Sequence, residues 1–463
     1  MKMSTPYKIF KKLFRLKSIK QVYENDISTK ATRGIDKIGV KTFNKNKIEH
    51  LKVVYKKCNN GRLKFSPYVE KLQSKGRNKK PRVISVATIR DRTVLFLLKE
   101  LLHEIFPDCV HRKLPNNYIK EIKDFYEKNG SKHVCYLKTD IKSFYDNIDH
   151  DILLKILRKK IRSKLILALL KRAIKTPTVP NNYKRSERHA YKRKFGVPQG
   201  LSISNILANI YLEGIDGKLG RFGLKYFRYV DDMLHFLGDE KPDEIENTIK
   251  DELERIKLKI NESKTECSLT DHSFDYLGYK LSLPKVSIKD SNVDRFLTSV
   301  AAKFSTYNHN SASQRKKYTW LTKRIQMKVF VDDLNEKLTG ALSDSRRYGW
   351  LFYFLEINDM ELLHKLDAII EQFFTRLQNF GKCAPTKLKK ISKAYYKAKY
   401  DPYGGYIHNY EIYDSLKKKI SYLSNRGYLN PKGHYKQTDI ELIFNRVKRK
   451  RLIDLDLDVG LIS

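Results

Sequence analysis

Two acids side by side in the middle of an apolar, aromatic run constrain this chain more than anything else in it. The run is Phe227-Arg-Tyr-Val-Asp-Asp-Met-Leu-His-Phe236. Its alternation predicts strand, tight turn, strand, with Asp231 and Asp232 at the bend. Acids also occur in turns simply for their local hydrogen bonds. Two adjacent carboxylates nevertheless repel each other unless positive charge stands beside them. A pair of divalent cations answers that repulsion, and two-metal sites catalyse phosphoryl and nucleotidyl transfer.

The charge balance says what such a site would act on. The chain has 463 residues, with 94 Lys and Arg against 52 Asp and Glu, for a formal net charge of +42. Self-repulsion of that size opposes a compact state unless a polyanion offsets it. The 29 tyrosines and 22 phenylalanines add stacking surface to the basic charge, a combination suited to tracking phosphates and stacking on bases. A membrane is the competing partner, but Leu165-Ile-Leu-Ala-Leu-Leu170 is far too short to span one. The basic N-terminus lacks the apolar core of a signal peptide. Cys58, Cys109, Cys135, Cys267 and Cys383 are scattered, with no C-x-x-C pair. That argues for a reducing, cytoplasmic setting and against a zinc finger or disulfide framework.

Along the chain, residues 1–60 are Lys-rich with helical spacing broken near Thr32-Arg-Gly-Ile-Asp36. A basic loop, Ser74-Lys-Gly-Arg-Asn-Lys-Lys-Pro81, leads into a strand at Arg82-Val-Ile-Ser-Val86. A helix opens near Thr88, and on it Val94, Leu95, Leu98, Leu101 and Leu102 share a core face. His133-Val-Cys-Tyr-Leu-Lys-Thr-Asp140 is a strand ending in an acid, and Asp149 and Asp151 open a helix running to Ile161. After a polar, basic loop at 176–195, Gly196-Val-Pro-Gln-Gly200 is a turn and Ser202 a candidate N-cap. A helix at 241–257 and strands at 266–283 follow the acid-bearing hairpin. From about 290 the pattern is mostly helical, with few strand signals. Trp350-Leu-Phe-Tyr-Phe354 reads there as core, and Lys387–Lys393 and Arg446–Arg451 are basic runs.

If the strand ending at Asp140 lies beside the hairpin, Asp140, Asp231 and Asp232 converge. Three carboxylates and the backbone carbonyl of Ile141 can then hold two magnesium ions, with manganese as a substitute. One ion would activate a primer 3′-hydroxyl; the other would hold a triphosphate and the leaving pyrophosphate. Hard oxygen donors without a His or Cys cluster suit magnesium rather than zinc.

In order along the chain stand Asp140-Ile-Lys-Ser-Phe-Tyr-Asp-Asn-Ile-Asp-His150, Gly196-Val-Pro-Gln-Gly-Leu-Ser202, Tyr229-Val-Asp-Asp232, Asn261-Glu-Ser-Lys-Thr265 and Leu277-Gly-Tyr279. The ordered set resembles the motifs of reverse transcriptases, in particular bacterial ones similar to group II intron and retron enzymes. Arg82-Val-Ile-Ser-Val-Ala-Thr-Ile-Arg-Asp-Arg92 resembles their fingers motif, and Gly34-Ile-Asp36 their N-terminal extension motif, so that the resemblance covers roughly residues 30–285. It implies an α+β right-hand polymerase fold. An N-terminal extension and fingers would occupy 1–135, a palm with an antiparallel sheet 136–285, a helical thumb 286–380 and a basic helical C-terminal region 381–463. It also implies roles. Asp140, Asp231 and Asp232 would be the catalytic metal ligands, and Tyr145 a steric gate against a 2′-hydroxyl. Gln199 would contact the incoming nucleotide. Lys80 and Arg82 would grip its triphosphate, with Lys75, Arg77 and Lys79 competing in the same loop. Lys264 would protonate pyrophosphate as general acid. Leu277, Gly278 and Tyr279 would form a primer-positioning turn, where glycine lets backbone approach a strand closely.

The expected activity is RNA-templated DNA synthesis, with an RNA template, a DNA primer or product strand and deoxynucleotides as partners. His408, His434 and Cys383 lack metal-ligand spacing, so no endonuclease signature supports intron mobility, and no Val-Thr-Gly motif supports a retron. The expected role is bacterial antiviral defence in the "unknown group" class, with a dedicated non-coding RNA. A homo-oligomer or protein partner stays open. The alternatives are a group II intron-type maturase or RNA-binding protein, and template-independent or protein-primed synthesis on the same site.

Overall fold

The computed structural model describes residues 5–28, 32–74, 80–111, 113–129, 134–318, 320–430 and 432–460. It opens with helices α1 (Pro6–Leu13), α2 (Leu16–Val22), α3 (Val40–Lys45) and α4 (Lys47–Asn59) and strands β1 (Tyr68–Gln73) and β2 (Arg82–Val86). Next come α5 (Ile89–Ile105), α6 (Pro115–Asn129), β3 (Cys135–Asp140), α7 (Phe144–Asn147), α8 (His150–Lys160), α9 (Lys164–Lys175) and β4 (Thr178–Val179). Then follow α10 (Ser204–Leu219), β5 (Lys225–Tyr229), β6 (Asp232–Leu237), α11 (Pro242–Glu254), β7 (Glu266–Leu269), β8 (Phe274–Tyr276), β9 (Tyr279–Ser282) and β10 (Lys285–Ile288). The remainder is α12 (Asp290–Lys317), α13 (Lys323–Thr339), β11 (Ala341–Ser343), β12 (Arg346–Tyr348), α14 (Trp350–Tyr353), α15 (Met360–Phe373), α16 (Ile391–Tyr400), β13 (His408–Asn409), α17 (Leu416–Asn425) and α18 (Gln437–Gly460). These elements form two compact units, residues 1–112 with 133–268 and residues 113–132 with 269–463.

The first unit is built on a four-stranded sheet in the order β5-β6-β3-β7. Its central pair, β3 and β6, is antiparallel and runs in register from Cys135 opposite Leu237 to Asp140 opposite Asp232. A second sheet, β2-β1-β4, pairs β1 antiparallel with β2 and parallel with β4. Helix α5 supplies Val94, Leu95, Leu98, Leu101 and Leu102 to the core, all fully buried as their spacing predicts. The Thr88 hydroxyl accepts the amide of Asp91 and starts α5. The Asp149 carboxylate accepts the amides of Asp151 and Ile152 and starts α8.

Three sequence expectations change in this unit. Helix α10 begins at Ser204, not after Ser202, because the Ser204 hydroxyl donates back to the Pro198 carbonyl and holds the preceding turn open. The 176–195 segment is not a bare loop. It contributes β4 and a single 3₁₀ turn at Arg185–His189. His133, Lys75, Arg77 and Lys79 lie outside the described residues.

The second unit contains the hairpin sheet β10-β9-β8 and a small sheet β12-β11-β13 among its helices. The strand-bearing stretch 274–288 thus belongs with the helical part of the chain. Strands β11 to β13 went unread because they are two or three residues long, too short to show a period of two. Trp350 and Phe354 are core, as expected, with Trp350 stacked on Phe296 at 4.2 Å between ring centroids. Among the described residues no helix is long and apolar enough to cross a membrane.

Candidate active site

The β3–β6 register brings two acids together. Asp140, the last residue of β3, lies directly opposite Asp232, the first of β6. Tyr229 pairs with Asp232 across the β5–β6 hairpin, which leaves Val230 and Asp231 as a two-residue turn. All three acids therefore sit at one end of the sheet. Val230 takes a left-handed backbone, φ 58, a conformation that costs a β-branched residue of order 1–3 kcal/mol. The surrounding side chains hold it there. The Arg228 guanidinium donates to the Val230 carbonyl at 2.8 Å, pairs with Asp216 on α10, and reaches Asn209 at 3.3 Å. The Tyr226 hydroxyl donates to the same Asp216 at 3.0 Å. Sequence reasoning missed this brace. Its signal was an arginine among the aromatic residues Tyr226, Phe227 and Tyr229, two residues before the strained position.

Electrostatically the acid cluster is under-compensated. Burial raises the Asp231 carboxyl, and the charge of Asp140 raises it further. Asp232 is pushed up to about 7 by burial, then by Asp231 and Asp140. Lys264 answers part of this, its Nζ donating to Asp140 Oδ2 at 2.7 Å. Burial pulls the Lys264 ammonium down, but the hydrogen bond to Asp140 and the nearby acids outweigh it and raise it. It keeps its proton at neutral pH. Asn261 was also missed, although it opens the motif that contains Lys264. Its side chain donates to Asp140 Oδ2 at 3.0 Å and its amide to the Asp140 carbonyl at 2.7 Å. Next in line, Ile141 bridges to Ile260, with its side chain buried.

Among the described residues no three His, Cys, Asp or Glu side chains form a ready cage for an ion. Magnesium does not require one, because it keeps several waters and is bound by one or two carboxylates together with substrate phosphates. The donors are hard oxygens, and the acids are driven up by burial first and then by one another's charge. That chemistry fits divalent cations.

A second group of predicted residues gathers around the 196–200 turn, which is clamped on two sides. Toward α7, the Val197 amide donates to the Tyr145 carbonyl at 2.7 Å and the Gly196 amide to the Ile148 carbonyl at 2.9 Å. Toward β2, the Ser85 amide donates to the Gln199 carbonyl at 2.7 Å. Both glycines are required. A Cβ on Gly196, φ +80, would stand 2.7 Å from the Asp146 carbonyl oxygen, and one on Gly200, φ +89, would stand 2.5 Å from Ile84 Cγ2. The clamp sets Gln199 and Tyr145 on adjoining backbone. The Tyr145 ring leans on Phe144 at 5.6 Å, and burial, then the charge of Asp231, pushes its hydroxyl up. Arg82, at the start of β2, bears electrostatically on both Asp231 and Tyr145. Lys80 is exposed just ahead of that strand.

The predicted primer turn lies in the second unit. Leu277 and Gly278 form a two-residue hairpin turn with φ 49 and 82. The Gly278 carbonyl accepts from the Lys289 amide at 3.1 Å and from Asn292 at 3.0 Å, and the Leu277 carbonyl accepts from the Tyr353 hydroxyl at 3.0 Å. Tyr279 is fully buried, its hydroxyl bonded to the Tyr353 carbonyl. It anchors the turn, and Gly278 is the more open of the three residues.

Residues 70–281 match the family profile "Reverse transcriptase (RNA-dependent DNA polymerase)". The group II intron-encoded protein LtrA of Lactococcus lactis subsp. cremoris is 26% identical over 257 residues, which are 53% of this chain and 40% of LtrA. An uncharacterized 91 kDa protein in the cob intron of Schizosaccharomyces pombe is 29% identical over 139 residues, 29% of this chain and 16% of that protein. The match thus spans well under half of either relative. Among solved structures, apo telomerase from Candida tropicalis truncated from its C-terminal domain aligns with TM-score 0.39 and 17% identity, over 49% of this chain and 55% of that one.

Proposed function

We propose that this chain, which belongs to the reverse transcriptases of the group II intron type through residues 70–281 and has their right-hand polymerase fold, is an RNA-directed DNA polymerase working by two-metal nucleotidyl transfer. The observation that carries the reading is the register of Asp140 opposite Asp232, with Asp231 in the adjoining turn. These acids, with the Ile141 carbonyl, would hold two magnesium ions. Bound there, the cations would supply positive charge to the attacking hydroxyl and the leaving pyrophosphate.

The chain's own residues supply the rest. Arg82 and Lys80 hold the triphosphate of a deoxynucleotide. Gln199, fixed by its backbone bond to Ser85, lies along it. Tyr145 closes the sugar pocket against a 2′-hydroxyl. Lys264, kept protonated by the acids beside it, holds a proton for pyrophosphate. By the resemblance, the turn at Leu277 and Gly278 would support a primer end. The partners are then an RNA template, a DNA strand and deoxynucleotides. The test is incorporation of deoxynucleotides on an RNA template by the purified chain, against the same chain carrying Asp231→Ala and Asp232→Ala. Equal incorporation would sink the assignment.

For the role in the cell we carry antiviral defence with a partner non-coding RNA, supported by the resemblance described above. Plaque counts with the intact and the Asp231→Ala, Asp232→Ala chain test it: protection lost with the acids supports it, and no protection by either rejects it. A second reading, an RNA-binding function in intron processing, is favoured by the intron-encoded relatives. It predicts a cellular activity that survives removal of both acids.

A further inference from the structure

Helix α16 divides its tyrosines between two environments. Tyr395 is buried, its hydroxyl donating to the carbonyls of Leu355, at 3.2 Å, and Ile357. Tyr396 and Tyr400, one helical turn apart, face solvent at 52% and 72% exposure, and Tyr403 just beyond the helix is 63% exposed. Aromatic side chains normally bury most of their area, so three open ones within eight residues mark a surface kept for contact. The ridge is firmly mounted. Asp367 on α15 accepts the Ser392 hydroxyl at 2.6 Å and the Ser392 amide at 3.2 Å, which fixes the start of α16.

Charge says what the contact is. Residues 387–403 hold six lysines and a single acid, Asp401. Asp401 pairs with Lys397 at 2.8 Å, Glu371 with Lys390 at 3.5 Å, Glu356 acts on Lys399, and Asp332 acts on Lys387 and Lys389. The six lysines still outnumber these four acids. The Tyr396 and Tyr400 rings are 6.5 Å apart between centroids and inclined by 23°. Rings this nearly parallel, both exposed, offer faces on which successive unpaired bases stack. A duplex hides its base faces, and a protein partner would not call for so many lysines.

We propose that the Tyr396–Tyr400–Tyr403 ridge of α16 is a stacking platform for unpaired bases of single-stranded RNA, with the lysines around it holding the phosphates. The choice of RNA rests on the RNA-templated reading above. Binding is measured with metal chelated, so that the outcome does not depend on catalysis.

The probe is a fluorescent 20-nucleotide unpaired RNA, compared with a 20-base-pair RNA duplex and with unpaired DNA of the same sequence. Base–aromatic stacking is lost with alanine, so Tyr396→Ala, Tyr400→Ala and Tyr403→Ala together should weaken unpaired RNA about tenfold or more. Duplex binding should change less than about twofold, and the three Tyr→Phe changes should retain unpaired RNA binding. These side chains are exposed, and unchanged circular dichroism confirms folding. Unchanged RNA affinity in the alanine variant would overturn the platform, as would equal loss for duplex and unpaired RNA. Tighter binding of unpaired DNA than of RNA would overturn the choice of strand.

Discussion

Replacing Gly196 by alanine probes how the nucleotide end of the site is held. Two costs add. The first is the left-handed backbone, φ +80, about 1–2 kcal/mol for any residue with a Cβ. The second is contact: the new Cβ would stand 2.7 Å from the Asp146 oxygen and 2.9 Å from that of Tyr145. Those oxygens are backbone, so α7 must move by several tenths of an ångström, for about 1–3 kcal/mol more. Gly61 is the control. It has φ +70 and nothing within 4 Å of its Cβ position, so Gly61→Ala pays the first cost alone. For a unit of about 250 residues each kcal/mol lowers the melting temperature by roughly 2–4 °C. Gly196→Ala should therefore melt at least that much below Gly61→Ala. Because α7 carries Tyr145, kcat/KM for deoxynucleotides should also fall about 10- to 100-fold, with no such fall for Gly61→Ala. Thermal denaturation and steady-state incorporation measure the two effects. Equal melting losses and equal kinetics in the two variants would refute the clamp.

Other outcomes follow from the same geometry. Tyr145→Ala should admit ribonucleotides, read as a drop in the ratio of deoxy- to ribonucleotide incorporation. A ratio that stays put would remove Tyr145 from the gate. Asp149→Ala should destabilise at pH 7 by about 1–2 kcal/mol, the usual loss of an N-cap. Burial acts against the Asp149 carboxylate, but Lys257 and two backbone amides outweigh it and lower its pKa from 3.8. The stability it contributes is therefore present above the unfolded value and lost as pH falls through the folded one. Denaturant titrations should show the gap between Asp149→Ala and the parent narrowing below about pH 4, and a gap that stays constant would contradict the pairing. Lys264→Ala should slow incorporation while leaving the sheet folded, with circular dichroism as the check on folding.

Much of the fold could be read from residue order because its long elements carry strong periods. Helix α5 announced itself through Thr88 and its leucines, and β6 through a short apolar run that is buried throughout after Asp232. The convergence of Asp140 with Asp231 and Asp232 was legible only conditionally. Strand pairing is a long-range fact, and nothing local in β3 says which strand lies beside it. The brace behind the turn was illegible for the same reason: Arg228, Asp216 and Asn209 meet across α10 and β5. Ser202 misled because a cap is recognised by type, whereas Ser204 is positioned by its bond to Pro198. Tyr279 read as a functional tyrosine, yet its ring is buried. The motif singled out the residue without showing whether it faces a ligand or the core.

The most direct test of the central claim is incorporation of labelled deoxynucleotides by the purified chain on a primed RNA template with magnesium, run beside Asp232→Ala. Losing a ligand that places charge on the reacting groups costs several kcal/mol of the barrier, so the variant should be slower by about 1,000-fold or more. It should fold as well as the parent, since burial and its acidic neighbours disfavour the Asp232 carboxylate. Template-dependent DNA from the parent alone is the predicted result. DNA made equally by both, or by neither across templates, primers and metals, would contradict the account.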